Sequence, residues 1–251
     1  MIRFLRIPSF IALFSLTIPG HAQQISPCER ISFESVRYVV CKANPKTDNI
    51  QLFWKDRNGT VYGSLAKLRK DVESAGQSLV FAMNAGMYEE NLSPVGLYVE
   101  KKVELHKINL RKASGNFHLQ PNGVFYINDG KAGIMESSRF ASSHLKVDYA
   151  TQSGPMLVIN NKLHPRFLKD STSRKTRNGV GLSQDGMAYF ILSEQPTTFH
   201  EFARLFRDTY KCQNALFLDG SISTAYAASL GQTGNIFRAI GPIVGVTRKA
   251  N

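Results

Sequence analysis

Four segments of the chain combine chemically capable side chains with glycine. Leu79-Val80-Phe81-Ala82-Met83 runs into Asn84-Ala85-Gly86-Met87-Tyr88, and Ala215-Leu216-Phe217-Leu218 runs into Asp219-Gly220-Ser221-Ile222-Ser223. Thr151-Gln152-Ser153-Gly154-Pro155 and Arg177-Asn178-Gly179 are the other two. A buried strand that ends in small polar residues is a place where sites are built, because glycine lets a ligand approach the backbone. Asp219 offers a carboxylate for general acid–base work, and Arg177 offers a fixed cation for an anion. An ordinary strand-to-turn transition explains any one of these segments. Their co-occurrence favours a site.

Other chemistries fit less well. Ser153 and Ser221 adjoin glycine, but neither lies in G-x-S-x-G and no ordered Asp and His partners complete a triad. His106, His118, His144, His164 and His200 are scattered, without H-E-x-x-H or paired-cysteine spacing, so a transition-metal site is disfavoured. A hard divalent cation held by Asp219 and carbonyls stays open; otherwise no cofactor is expected. Glu89, close behind Asn84, and Glu194, just past a strand, are the reserve carboxylates. Asp129 and Asp185 read as hairpin-turn residues, and His118 as structural or substrate-orienting. Arg177 closes a basic stretch of Arg166, Lys169, Arg174 and Lys175 interrupted by Asp170. It alone abuts a turn into a strand; the others read as a solvated loop face.

Strand-like runs position these residues: 36–41, 49–54, 79–83, 95–99, 123–127, 155–159, 187–193, 215–218 and 242–247. Asn128-Asp129-Gly130, Asn160-Asn161 and Gln184-Asp185-Gly186 are turn signals that join runs into hairpins. Two helices are marked. Ser64 caps 65–75, where Leu65, Leu68 and Val72 recur at helical spacing, and Thr198-Phe199-His200-Glu201 is a capping box ahead of Phe202, Ala203, Leu205 and Phe206. Hairpins with interspersed helices predict an α+β single domain, a mixed and largely antiparallel sheet with flanking helices.

The 251 residues are 43% hydrophobic and 20% charged, which excludes a disordered tail, a collagenous repeat and a multi-span membrane protein. With 31 Lys and Arg against 19 Asp and Glu, the net charge is +12, which attracts anions without choosing among them. Residues 1–22 read as a secretory signal. Arg3 and Arg6 precede an apolar run from Phe10 to Ile18, Pro19-Gly20 breaks it, and Gly20 and Ala22 suit a cleavage site. Cleavage removes two arginines and no acid, and no other segment is long and apolar enough to span a membrane. The expected location is secreted or periplasmic. There Cys28 and Cys41, flanking a strand-like stretch from Ile31 to Val40, form the expected disulfide and leave Cys212 as a buried thiol.

Taken in order, FAMNAGMY (81–88), PVGLYVE (94–100), GNF (115–117), PNGVFY (121–126), TQSGPMLV (151–158), RNGVGL (177–182) and LFLDGSIS (216–223) resemble the phosphodiester glycosidase family from about Ser32 to Val246. At Gly220-Ser221-Ile222-Ser223 the chain departs from the longer glycine run of many members. The resemblance implies hydrolysis of a sugar-1-phosphodiester on the sugar side of the phosphate, with a phosphorylated sugar or anionic glycan as substrate. Ordinary glycosidases protonate a poor alkoxide leaving group. A phosphate monoester, with a second pKa of about 6, leaves more readily, so a cation holding it matters more than an acid. Arg177 is the candidate cation. Asp219 is the general base or the stabiliser of an oxocarbenium-like transition state. Asn84 would bind sugar hydroxyls or phosphate, beside Ser153, Asn178 and Ser221. The amides around Gly86, Gly154 and Gly220 would form anion-binding nests. A non-catalytic binder of anionic envelope glycans is the alternative. Nucleic acid is not an expected partner, since the basic residues lack aromatic interleaving and any recognised module.

Overall fold

The computed structural model describes residues 26–219, 222–234 and 238–250; the expected signal at 1–22 lies outside them. In chain order the strands are β1 Cys28–Phe33, β2 Val36–Ala43, β3 Asn49–Phe53, β4 Gln77–Asn84, β5 Tyr98–Glu100, β6 Val103–His106, β7 Gly123–Asn128 and β8 Lys131–Glu136. They continue as β9 Tyr149–Ser153, β10 Met156–Ile159, β11 Lys162–Leu163, β12 Asn178–Ser183, β13 Ala188–Ser193, β14 Cys212–Phe217, β15 Ala225–Ala227 and β16 Ile243–Lys249. The helices are α1 Leu65–Ser74, α2 Ser137–Ser143 and α3 Phe199–Arg204, the last running on as a π-helical turn through Thr209.

In place of one mixed sheet the described residues form three, ordered β1-β2-β13-β12-β14-β10-β11, β15-β4-β16-β3 and β6-β5-β9-β7-β8. Every pairing among the described strands is antiparallel. The expected admixture of parallel strands is therefore absent among them. Parallel neighbours need long crossovers, whereas tight turns at 128–130, 160–161 and 184–186 return the chain antiparallel at β7–β8, β10–β11 and β12–β13.

The three sheets share one core and each is covered by its own helix. Phe190 of β13 meets Phe81 of β4 at 5.3 Å and Phe125 of β7 at 5.8 Å between ring centroids, so all three sheets converge there. Alternation along β2 and β13 turns Val39, Cys41, Phe190 and Leu192 toward this core. Tyr38, Val40 and Ile191 point the other way, toward Phe202 of α3 and Phe206 of the π-helical turn. Leu65, Leu68 and Val72 of α1 cover the four-stranded sheet, and Phe140 of α2 covers the five-stranded one. Ser64 caps α1, and Thr198 and Glu201 close a reciprocal capping box at α3, as their residue types require. Helix α2 carries no such sequence mark: its cap is Glu136, whose carboxylate accepts from the amides of Ser138 and Arg139.

Two expectations are corrected locally. The stretch from Ile31 to Val40 is two strands, turning at Glu34 and Ser35, both at positive φ. Cys28 and Cys41 therefore face each other across β1–β2, and the disulfide joins them. The 95–99 run becomes a strand only from Tyr98, because the amide of Leu97 donates to the Gln152 side chain at 3.0 Å instead of a neighbouring strand. Cys212 is buried and unbonded to sulfur, and burial pushes its thiol up to about 12, which leaves it inert at neutral pH.

Candidate functional site

Strand ends from all three sheets meet at one place. Asn84 ends β4, Ser153 ends β9, Asn178 begins β12, and Asp219 lies two residues beyond β14. All four are buried, Asp219 the least so at 6% exposure. Buried polar groups must find partners, and these find one another. The Asn178 side-chain amide donates to the Asn84 carbonyl at 2.7 Å and to Asn84 Oδ1 at 3.1 Å. Asn178 Oδ1 accepts from the Asp219 backbone N–H at 2.9 Å, and Asn84 Nδ2 donates to the Asp219 carbonyl at 3.4 Å. Asn84 Oδ1 also takes the amide of Thr224 at 3.0 Å, on the far side of the loop that carries Asp219. Ser153 Oγ donates to the Leu218 carbonyl.

These bonds engage several of the residues expected at the site. Asn84, Asn178 and Ser153 are buried, with their side chains bonded to the backbone of Leu218, Asp219 and Thr224. Through these bonds they fix the backbone at and beside Asp219. The amide of Gly86 donates to Thr151 Oγ1 at 3.1 Å, so it does not line an anion nest. A Cβ there would sit 2.4 Å from the Gln152 carbonyl, which is why glycine is required. At Gly154 a Cβ would meet Asn122 Cβ at 2.6 Å and the Phe117 carbonyl at 2.8 Å; the glycine admits the 116–117 turn. Gly220 and Ser221 lie outside the described residues.

Arg177 and Asp219 open onto one cavity of about 500 Å³, lined also by Met87, Asn116, Lys175, Thr176 and Phe217. Asp219 is its sole carboxylate among the described residues. The Arg177 guanidinium lies 3.6 Å over the Phe199 ring, and Phe199 packs edge-on against Phe217 at 4.8 Å. Its Nε donates to the Thr197 carbonyl at 2.9 Å and Nη2 to the Ser173 carbonyl at 3.2 Å. Nε and Nη2 are its bonded nitrogens among the described residues. Burial pulls its pKa down to about 10, opposed by the charge of Glu201, and it remains a cation at neutral pH.

The wall behind it is an aromatic stack: His164 on Phe167 at 4.7 Å, and Phe167 on Phe199 at 5.0 Å. His164 Nδ1 accepts the Arg166 amide at 3.2 Å, which assigns its proton to Nε2, 3.1 Å from the Gln120 carbonyl. Burial holds this imidazole below its usual pKa. Tyr88 Oη donates to the Ala239 carbonyl at 3.3 Å and lies beside Asp219. Burial first, and the charge and hydrogen bond of Asp219 next, raise its pKa, so the phenol keeps its proton.

The reserve carboxylates stand elsewhere. Glu89 is exposed in a turn, and Glu194 is bound by Arg30 at 3.1 Å and Arg37 at 3.3 Å. Neither lines the cavity. Asp129 and Asp185 sit in hairpin turns, and His118 Nδ1 contacts the Arg111 carbonyl at 2.8 Å. Lys175 belongs to the cavity rather than to a uniformly solvated basic face. Its position beside Arg177 in the sequence was the available signal. Met87 and Asn116 each lie in a recognised motif segment, but nothing in their residue types marked them. Among the described residues no group of three or more His, Cys, Asp or Glu is arranged to hold a metal ion.

Residues 77–247 match the phosphodiester glycosidase family, and the chain belongs to it. It is 40% identical over 183 residues to the uncharacterised protein YigE of Escherichia coli K12, covering 73% of this chain and 71% of that protein. Its fold is similar to the zebrafish N-acetylglucosamine-1-phosphodiester alpha-N-acetylglucosaminidase catalytic domain, auto-inhibited by its pro-peptide. That likeness has a TM-score of 0.58 and 13% identity, over 87% of this chain and 81% of that one. A Burkholderia pseudomallei K96243 protein with the name "putative exported protein" shares the fold at a TM-score of 0.55 and 10% identity, over 84% of this chain and 74% of that one.

Proposed function

We propose that the protein is an exported hydrolase that cleaves a sugar-1-phosphodiester on the sugar side of the phosphate, releasing free sugar and a phosphomonoester. The observation that carries this reading is Arg177 and Asp219 facing one cavity of about 500 Å³. Membership of the family and the activity named for the zebrafish enzyme support the reaction class. With the phosphate toward Arg177, the anomeric carbon turns toward Asp219. As the bond from that carbon to the bridging oxygen breaks, its electron pair stays with the oxygen. The phosphomonoester departs without needing a proton, because its second pKa is only about 6. Asp219 then faces the developing oxocarbenium charge, or takes the proton of the attacking water. Tyr88 stays protonated beside Asp219 and keeps a second negative charge away from it. The reading needs no cofactor, since Arg177 supplies the positive charge that a hard divalent cation on Asp219 would otherwise bring.

Export rests on the signal-like residues 1–22 and on the Cys28–Cys41 disulfide, a bond that persists in oxidising compartments. Among the described residues no helix is long and apolar enough to cross a membrane. The test of activity is to incubate the exported form with a synthetic sugar-1-phosphodiester in ¹⁸O-water. Free reducing sugar carrying the label, with an unlabelled phosphomonoester, is the expected result. Label in the phosphate would mean attack at phosphorus, and binding without turnover would favour a glycan-binding protein.

A further inference from the structure

Lys175 lines the cavity two residues before Arg177. The intervening backbone is extended and pinned: Lys175 and Thr197 exchange hydrogen bonds, N–H to carbonyl at 3.1 Å and the reverse at 2.9 Å. The same Thr197 carbonyl accepts Nε of Arg177. Residues two apart in extended backbone project to one side, so the ammonium and the guanidinium share a wall. Their neighbour Arg174 is committed elsewhere, to Glu201. Lys175 has no ion-pair partner among the described residues, and its side chain is exposed at the rim.

Among the described residues that line the cavity two are cations, Arg177 buried and tethered and Lys175 exposed. A phosphodiester carries one negative charge. When the bond on the sugar side breaks, the bridging oxygen keeps the electron pair and the departing monoester moves toward a dianion, its second pKa being about 6. Water supplies the hydroxyl to the anomeric carbon, and its proton passes to Asp219 or to solvent. One cation matches the ground state. A second is matched only to the charge that appears on departure, and such an interaction lowers the barrier rather than the binding energy. We propose that Lys175 is a catalytic residue whose ammonium contacts the leaving phosphate and neutralises this second charge. The proposal rests on the hydrolase reading of the same cavity.

Two measurements test it, on the wild-type chain and on Lys175→Ala, Lys175→Gln and Lys175→Arg. With a sugar-1-phosphodiester, the Ala and Gln variants should lose about 10- to 100-fold in kcat and change KM by less than about threefold, while Arg retains most of the rate. An aryl glycoside of the same sugar should be cleaved equally by all four. Separately, inorganic phosphate is titrated into each protein at pH 5 and pH 8 by calorimetry. Wild type should bind the dianion about tenfold more tightly than the monoanion, and Lys175→Ala should lose that preference. Lys175 is exposed, so melting temperatures should coincide. Unchanged kcat on the phosphodiester, or a dianion preference that survives Lys175→Ala, would overturn the proposal. Wild type that fails to hydrolyse but shows a Lys175-dependent dianion preference would overturn the hydrolase reading and uphold the phosphate contact.

Discussion

Two of the hollows among the described residues are nearly equal in size. One, about 500 Å³, lies where the strand ends of three sheets meet. The other, about 520 Å³, lies on the five-stranded sheet beside α2, lined by residues such as Leu97, Val99, Phe140 and Lys102. Volume does not separate them; the state of their charges does. In the second hollow Lys102 pairs with Asp148 at 3.3 Å, Glu104 and Lys146 are exposed, and the rest of the lining is apolar or belongs to the turn at Asn128 and Asp129. In the first, Arg177 is buried on an aromatic ring and Asp219 is held by its backbone in a lattice of asparagine amides. Removing such groups from water is unfavourable unless partners replace it. That cost is borne around the first hollow, where Arg177 and Asp219 are buried, and the charged residues of the second keep more contact with water.

The largest break in that contrast is expected at Asp219. Asp219→Asn preserves shape and removes the charge, and should lower kcat/KM by about 10³-fold or more on both a sugar-1-phosphodiester and an aryl glycoside. Arg177→Ala should cost about 3 kcal/mol of transition-state stabilisation on the phosphodiester and much less on the aryl glycoside, whose leaving group has no phosphate to hold. Steady-state kinetics of both variants on both substrates checks the pair. Equal losses for Arg177→Ala would make it a structural or sugar-binding residue.

Next in size is the scaffold beneath. Asn178→Ala strips the partners from the Asp219 amide and the Asn84 carbonyl, and should destabilise the fold by about 2–4 kcal/mol while lowering kcat more than it raises KM. Urea denaturation and kinetics on the same preparation measure both. A subtler effect is expected at His164. Its folded pKa is depressed, so its contribution to stability is present above the unfolded value of 6.5 and is lost as pH falls through the lower folded value. Melting temperature against pH should therefore decline below pH 6.5 in the wild type, and His164→Phe should flatten that part of the curve. The smallest effect belongs to the second hollow. Lys102→Ala should leave activity unchanged and alter stability by less than about 1 kcal/mol, because the pair is exposed on the lysine side.

Much of this was legible in the residues. The motif segments ending in Asn84, Ser153, Asn178 and Asp219 could be read without coordinates, because a strand period followed by a small polar exit is a local pattern. The caps at Ser64 and Thr198 and the three hairpin turns were legible for the same reason. The cap of α2 was not, since a glutamate at that position is an uncommon choice. Nor was the split of 28–41 into a hairpin, whose turn residues Glu34 and Ser35 carry no glycine or asparagine to announce it.

The division of labour within the site was hidden in a different way. An asparagine bonded to a carbonyl 94 residues away has the same composition as one awaiting a sugar hydroxyl. By itself the sequence determined which residues could do chemistry, the family they belong to, and the antiparallel character of the hairpins, since all three follow from neighbours along the chain. Tertiary structure alone decided that Asn84, Ser153 and Asn178 hold Asp219 in place, that Glu89 and Glu194 stand apart, and that Lys175 joins Arg177 on the cavity wall. Those outcomes depend on where three separate sheets bring their ends together, and no local pattern of residues encodes a meeting point between segments so distant along the chain.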